Sequence, residues 1–485
     1  MTLKAALLST TALCMTALTG CMVGPKYQRP SVPPPPAAYK EMPPPNPPNG
    51  SWKQAQPANA QSTQLKGNWW ELYGDPQLSA LETKIAVSNQ TLKAATEQYF
   101  AAREQVRVAR SNYYPNLGAG ISITRTHASQ NQPNQRSTSN DQYNTFTLQG
   151  QASWEPDLWG AIRRDVEAAH ANAQASAADL ANVALSLQAE LATDYFEMHG
   201  LDSQKQLLDN TVRADADYLR LTQIRFNGGV ASDVDVAQAE TQLETVKAQA
   251  IDVQVARAHF EHAIATLIGQ PASTFSLPSA PLNLKLPIIP AGVPSELLER
   301  RPDIAAAERR ADAANAQIGI AIAAYYPNVQ LGGSGGFEST NPGTWIQGPS
   351  ALWSLGASAM ETLFDAGRRH AITAQARDLY EAQAADYRQS VLNAFQDVED
   401  NLAALRILDS EAQTQAAAVA AARRSLLVST KRYKGGVTDY LEVLTAQTAQ
   451  LTNERTQNDL TTRQFAASVQ LIKALGGGWT RAQLP

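Results

Sequence analysis

Proline is absent from residues 157–270 and again from residues 350–484 of this 485-residue chain. A proline inside a helix costs about 3 kcal/mol, and both tracts are rich in alanine, leucine, glutamine and charged residues, which favour helix. Residues 160–227 and 367–434 therefore read as two long helices, each about 100 Å if unbroken at 1.5 Å per residue. Leu180, Ala184, Leu187, Leu191, Tyr195 and Met198 follow the spacing of a coiled-coil seam, and Gly200 is a point where that helix could kink. Helices of this length cannot wrap around one globular core. They must pair with neighbours, and the pairs Gly228-Gly229 and Gly435-Gly436 supply the turns of two hairpins.

The two tracts belong to one unit used twice. Ser111-Asn112-Tyr113-Tyr114-Pro115-Asn116-Leu117 recurs as Ala323-Ala324-Tyr325-Tyr326-Pro327-Asn328-Val329. Arg225-Phe226-Asn227-Gly228-Gly229-Val230 recurs as Arg432-Tyr433-Lys434-Gly435-Gly436-Val437, 207 positions on, and Gly269 is echoed by Gly476 at the same offset. Each unit reads as helix, strand, strand, long helix, turn, helix, a period too long for a solenoid.

The strands alternate. Leu117, Ala119, Ile121 and Ile123 face one way and Gly118, Gly120, Ser122 and Thr124 the other; Phe146, Leu148, Gly150, Ala152 and Trp154 do the same against threonine, glutamine and serine. The second unit offers Val329, Leu331, Gly333, Gly335 and Phe337, then Trp353, Leu355, Ala357 and Ala359. Runs of about ten residues with one apolar face are the pattern of transmembrane β-barrel strands. A soluble sheet with one wet face is the alternative. The connections between paired strands are polar or glycine- and proline-rich, which suits an extracellular surface.

Residues 1–20 have the form of a secretory signal: Lys4, then an uncharged stretch too short to span a bilayer. It ends Leu18-Thr19-Gly20-Cys21, the pattern of a bacterial lipobox, which makes Cys21 the lipidation site. Cys14 is the only other cysteine and leaves with the signal, so disulfide frameworks and cysteine-metal clusters are excluded downstream. Residues 30–48 hold two proline runs and read as an extended spacer. A formal net charge of -5 gives no footprint for nucleic acid, and a mean hydropathy of -0.31 is too polar for a bundle of membrane helices.

Four strands cannot close a membrane barrel, which needs about eight or more. Open edges in lipid leave backbone groups unpaired at several kcal/mol each. Several chains must therefore share one barrel: two would give eight strands with a filled interior, three would give twelve with a lumen.

At this point the chain resembles the outer-membrane factors of tripartite efflux pumps, the TolC-like channels, in the lipoprotein branch that includes OprM and NodT. The resemblance rests on Gly24-Pro25-Lys26-Tyr27-Gln28-Arg29-Pro30, on Trp69-Trp70-Glu71-Leu72-Tyr73-Gly74-Asp75-Pro76-Gln77-Leu78, on Glu299-Arg300-Arg301-Pro302-Asp303-Ile304, and on the two Arg-aromatic-x-Gly-Gly turns. It implies a mainly α, mixed fold with an internal two-fold repeat: a homotrimeric 12-stranded outer-membrane barrel, four strands per chain, continued by a periplasmic helical barrel with an equatorial domain. The division is residues 1–20 as signal, 21–65 as lipid anchor and proline-rich segment, 66–275 as first repeat (strand pair 117–154, helix hairpin 160–269) and 276–485 as second (strand pair 329–362, helix hairpin 367–476).

The resemblance further implies a passive exit duct, not an enzyme, with no catalytic residue, metal or cofactor. Its partners would be two further copies of the chain, a periplasmic adaptor, an inner-membrane pump and outer-membrane lipid. Arg225, Gly228, Gly229, Arg432, Gly435 and Gly436 match the hairpin tips that meet the adaptor. Asp235, Tyr433 and Glu442 match the periplasmic gate, Asp235 being the aspartate that bonds the tyrosine in a closed channel. Thr445 stands where a second acidic ring residue is frequent, and Thr438 where some members carry arginine. The plainer reading of Asp235 and Glu442 is a pair of helix N-terminal acids. His259 and His262 could share a metal but lack an evident third ligand, and Arg300-Arg301 precedes a helix start with Asp303 as cap. The rival functions are a pore-free coiled-coil lipoprotein bracing the envelope and the outer-membrane part of a type I secretion system; multidrug efflux is one of several cargo classes that relatives handle.

Overall fold

The computed structural model describes residues 22–36, 38–41, 67–127, 142–290, 292 and 294–485. The signal segment, Cys21, residues 42–66 and the connection at 128–141 lie outside the described residues. The chain runs α1 (Pro76–Ser88), α2 (Gln90–Ser111), β1 (Asn116–His127), β2 (Gln142–Trp154), α3 (Ala161–Asn227), α4 (Asp233–Leu267), α5 (Pro302–Ala323), β3 (Asn328–Ser339), β4 (Ala351–Met360), α6 (Arg368–Lys434) and α7 (Tyr440–Ala474). The duplication is visible in the lengths: α3 and α6 have 67 residues each, α4 and α7 have 35 each.

The described residues form two compact units, and each repeat contributes to both. One unit takes the chain up to Pro30, Tyr99–Ser176 and Ala307–Tyr387. Its centre is an antiparallel sheet in the order β1-β2-β3-β4. The register aligns the apolar positions across every pair: Ile121 opposite Leu148, Leu148 opposite Phe337, and Leu331 opposite Ala357. One face therefore carries leucine, isoleucine, phenylalanine and tryptophan, and the other glycine, serine, threonine and glutamine. Gly336 belongs there for a close approach, since a Cβ would come 2.0 Å from the Leu148 carbonyl oxygen.

The other unit takes Ser31–Gln98, Ala177–Ala306 and Arg388–Pro485. Its core is built around a 3-10 turn, Trp69–Tyr73, whose Trp69, Trp70 and Tyr73 are buried against Phe196 and Phe465. Asp75 caps α1 by accepting from the backbone N–H groups of Gln77 (2.8 Å) and Leu78 (3.2 Å), and its second oxygen accepts from the Tyr195 hydroxyl at 2.7 Å. The seam residues Leu191, Tyr195 and Met198 are buried as the spacing predicts, but so are Leu185, Ala189, Ala192 and Phe196 on the adjoining face. The aromatic turn and α1 cover that second face, so α3 is enclosed more widely than a two-helix seam requires.

Two local expectations change. The helix α3 passes through Gly200 without a break. The glycine is there because α7 crosses at this point: a Cβ would lie 2.2 Å from the Thr462 hydroxyl oxygen. Asp303 sits inside the first turn of α5 and not at the position before it; its carboxylate accepts from the Ile304 N–H at 2.9 Å and takes the Arg301 guanidinium at 2.6 and 3.0 Å. Arg301 goes on to Asp397 (2.9 Å) and the Ala474 carbonyl (3.3 Å), tying the start of α5 to α6 and the end of α7.

Gly200→Val is expected to lower stability by about 1–3 kcal/mol through overpacking. Pairing it with Thr462→Gly should recover most of the loss in thermal melts; an equal loss in both backgrounds would show that the helix crossing is not the cause.

Candidate functional site

The hairpin tips repeat one backbone solution. In the first, the N–H groups of Gly229 and Val230 donate to the carbonyls of Phe226 and Arg225, both at 2.9 Å. In the second, Gly436 and Val437 donate to Tyr433 and Arg432 at 3.0 Å. Gly229 and Gly436 have φ of 73°, the left-handed conformation that ends a helix in this motif. Each following helix is then capped, by Ser232 in the first and Asp439 in the second.

Side chains on these equal turns do different things. Asp235 closes a capping box: its N–H donates to Ser232 Oγ (3.2 Å), and its carboxylate accepts from the Ser232 N–H (2.9 Å). Within the chain Asp235 does not meet Tyr433, because the cap claims its carboxylate. The buried Tyr433 instead donates its hydroxyl to Thr222 at 3.1 Å. Arg225 crosses from the first hairpin to the second. Its guanidinium lies 4.6 Å from the Tyr433 ring centroid and donates to the Tyr433 carbonyl at 2.7 Å.

The counterpart of Arg225, Arg432, stays in its own hairpin and pairs with Glu442 at 3.0 Å. Glu442 also accepts from Thr438 (2.5 Å) and Ser429 (3.2 Å). The Thr438 bond leads in holding the Glu442 carboxyl below its usual range, with Ser429 and Arg432 adding to it. Asp235 and Glu442 occupy the same position of α4 and α7, three residues past the cap, where the helix dipole favours a carboxylate. Thr445 is exposed and spends its hydroxyl on the Leu441 carbonyl. The sequence pointed to Arg225, Tyr433 and Glu442 individually; it gave no sign of Thr222 or Ser429, which lie about one turn before the motif.

A second repeated device marks the joints where strands become helices. Asp157 accepts from the N–H groups of Ile162 (3.1 Å) and Arg163 (3.0 Å) and pairs with the Arg163 side chain at 2.9 Å. Asp365 does the same with the Gly367 and Arg369 N–H groups and the Arg369 side chain at 2.8 Å. Trp159 stacks on Tyr326, 4.8 Å between centroids, and its indole donates to the Pro327 carbonyl at 2.8 Å.

The segment after Cys21 is seated at the first of these joints. The Val23 N–H donates to the Trp159 carbonyl at 3.1 Å, and the buried Arg164 donates to the carbonyls of Val23 and Gly24, each at 3.2 Å. Gly24 rests directly on Gly319, where a Cβ would be 2.5 Å from the facing Cα. Cys21 itself lies outside the described residues.

The apolar face of the sheet is open. Leu117, Ile121, Ile123, Trp353 and Leu355 are each at least 66% exposed. No helix among the described residues is long and apolar enough to cross a membrane. His259 and His262 are both exposed, and Glu261 between them is committed to Arg257 (3.2 Å) and the Leu277 N–H (2.6 Å).

A sheet with one face of exposed apolar side chains, leading through clamped joints into long helices that end in matched hairpin turns, defines a membrane export protein of the outer-membrane type. The chain belongs to the outer membrane efflux protein family, whose model matches residues 82–270 and 293–477, once on each repeat. The pyoverdine export outer membrane protein OpmQ of Pseudomonas putida is 30% identical over 443 residues, covering 89% of this chain and 92% of OpmQ. The toluene efflux pump outer membrane protein TtgC, also of Pseudomonas putida, is 29% identical over 475 residues, 96% of this chain and 95% of TtgC. The solved structure of the outer-membrane channel OprN superposes with a TM-score of 0.86 at 28% identity, over 95% of this chain and all of that one. This places the protein in the outer membrane as the channel component of an efflux system.

Tyr433→Phe should loosen the end of α6 by about 1 kcal/mol, the value of one net hydrogen bond. Arg225→Ala should loosen it further, and Arg225→Lys partly, because lysine keeps the charge but not the planar stack. Amide exchange across residues 428–445 reads this order; equal protection in all three variants would remove Arg225 as the link between the hairpins.

Proposed function

We propose that three copies of the chain form a passive exit duct whose hairpin tips dock a periplasmic adaptor and, through it, an inner-membrane pump. One observation carries the proposal. The sheet has an uncovered apolar face, and β1 and β4 at its edges pair with no further strand among the described residues. In hydrocarbon such edges must be paired, and four strands cannot pair them within one chain. Three chains bring twelve strands, enough to enclose water.

The duct performs no covalent chemistry, and the pump supplies the energy. Acyl chains on Cys21 hold the start of the mature chain to the membrane, each buried methylene adding about 0.8 kcal/mol. The seating of Val23 and Gly24 on the strand-to-helix joint supports that placement. Arg225, Gly228, Gly229, Arg432, Gly435 and Gly436 meet the adaptor, and exposed Val230 and Val437 on the same turns give it apolar contact.

Asp235, Tyr433 and Glu442 line or brace the gate. The link from Arg225 to Tyr433 keeps the second hairpin on the first, and the resting tip is narrow while it holds. Carboxylates repeated three-fold around a narrow pore attract cations. Cargo choice rests with the pump and not with this chain's wall, a reading that the unlike cargoes in the relatives' names, pyoverdine and toluene, support.

Purified protein in planar bilayers tests the duct. Small, cation-preferring conductance is expected for the wild type, rising several-fold in Arg225→Ala combined with Tyr433→Phe. A trimer that passes no current in either form would favour a pore-free envelope brace.

A further inference from the structure

The contact between the two hairpins buries a carboxyl group. Asp215, on α3 about three turns before the first tip, is 1% exposed. Its Oδ1 accepts from the Gln447 side-chain amide of α7 at 2.9 Å, and its Oδ2 has no hydrogen-bond partner. The chain continues through Gln447 Oε1 to the Tyr440 hydroxyl at 3.2 Å, and Tyr440 lies 5.7 Å from the Tyr433 ring. Asp215 is therefore linked, through Gln447 and Tyr440, to the Tyr433 ring on which Arg225 stacks.

Each packed element presents an uncharged neighbour at neutral pH. Gln242 faces the carboxyl from α4, Gln447 and Tyr440 from α7, and Tyr433 of α6 and Tyr218 of α3 flank Tyr440. No ion pair among the described residues involves Asp215. A buried carboxylate with only amide donors is poorly solvated, whereas the neutral acid is tolerated. Gln242 also lines a cleft of about 350 Å³ between α4 and α7, with Thr241 on one side and Leu444 on the other.

We propose that Asp215 is a proton switch in the hairpin contact: protonated, it lets α7 pack tightly on α3; ionised, it loosens that contact and favours an open tip. The consequence for gating rests on the proposed duct, whereas the loosening itself does not. Burial, offset in part by Gln242, pushes the Asp215 carboxyl up to about 6. A carboxyl raised in the packed state gives a contact that is strongest in acid and weakens as pH rises through that value. The loss falls between about pH 4, the ordinary aspartate value, and about pH 6.

Hydrogen exchange on the full-length protein in detergent tests this without reference to transport. Wild type is compared at each pH with Asp215→Asn, and with Asp215→Leu as a second neutral variant in case the first packs poorly. At about pH 3.5, below the ordinary carboxylate value, all three should protect residues 438–450 alike. At pH 7.5 the wild type should exchange on the order of a hundredfold faster than the neutral variants, since the carboxyl is raised by about two units and each unit is a factor of ten. Asp235, Asp439 and Glu442 are intact in every variant, so their titration cancels. Equal exchange in wild type and both variants at both pH values overturns the switch. Exchange that behaves as expected while bilayer conductance ignores pH upholds the switch and overturns the reading of the tip as a gate.

Discussion

A backbone amide in hydrocarbon must be hydrogen-bonded or the structure loses several kcal/mol. Most of this molecule follows from that constraint. Four strands of ten to thirteen residues are long enough to cross the apolar layer but too few to satisfy their own edges. The chain is consequently written as a fraction of something larger. Internal duplication supplies two strand pairs, and the pairing of β2 with β3 joins the two repeats into one sheet. The register gathers isoleucine, tryptophan and all the strand leucines but Leu352 on a single face, so the sheet has a lipid side before any partner is added.

The strands, the four long or paired helices and both turns were legible because each is written locally. Alternation, freedom from proline and a glycine pair need only a window of the chain to be recognised. What escaped depends on segments far apart in sequence. Gly200 looks like a weak point of a helix until Thr462 is placed against it, 262 positions on. Asp303 follows the pattern of a cap, but Arg301 and its tie to Asp397 and Ala474 put it one step inside the helix. The aromatic turn Trp69–Tyr73 stood out as a motif, yet nothing local says that it covers a second face of α3.

The two hairpins show how duplication becomes function. Their turns share hydrogen bonds, left-handed glycines and capped exits almost atom for atom. Their arginines do not. Arg432 stays with Glu442 in its own hairpin, whereas Arg225 reaches across to Tyr433. One copy became self-contained and the other became the link, and the acidic positions differ with them. Asp235 is one methylene too short to leave its capping box, while Glu442 is long enough to gather Thr438, Ser429 and Arg432. The candidate site was thus legible as a set of residue types, but its wiring was not, because equivalent positions carry unequal roles.

The aspartate–arginine clamps at the strand-to-helix joints bear on how such halves can drift apart. Asp157 and Arg163 are six positions apart, and Asp365 and Arg369 only four, yet both arginines enter the first turn of their helix and return to the same carboxylate. Two residues of slippage would rotate a helix by about 200° if its phase were inherited from the strand. Anchoring by a long flexible side chain breaks that inheritance. Insertions and deletions at these joints could accumulate over evolutionary time without disturbing either the sheet or the helix beyond it, which makes each joint an expansion seam between two parts that otherwise permit almost no change of length.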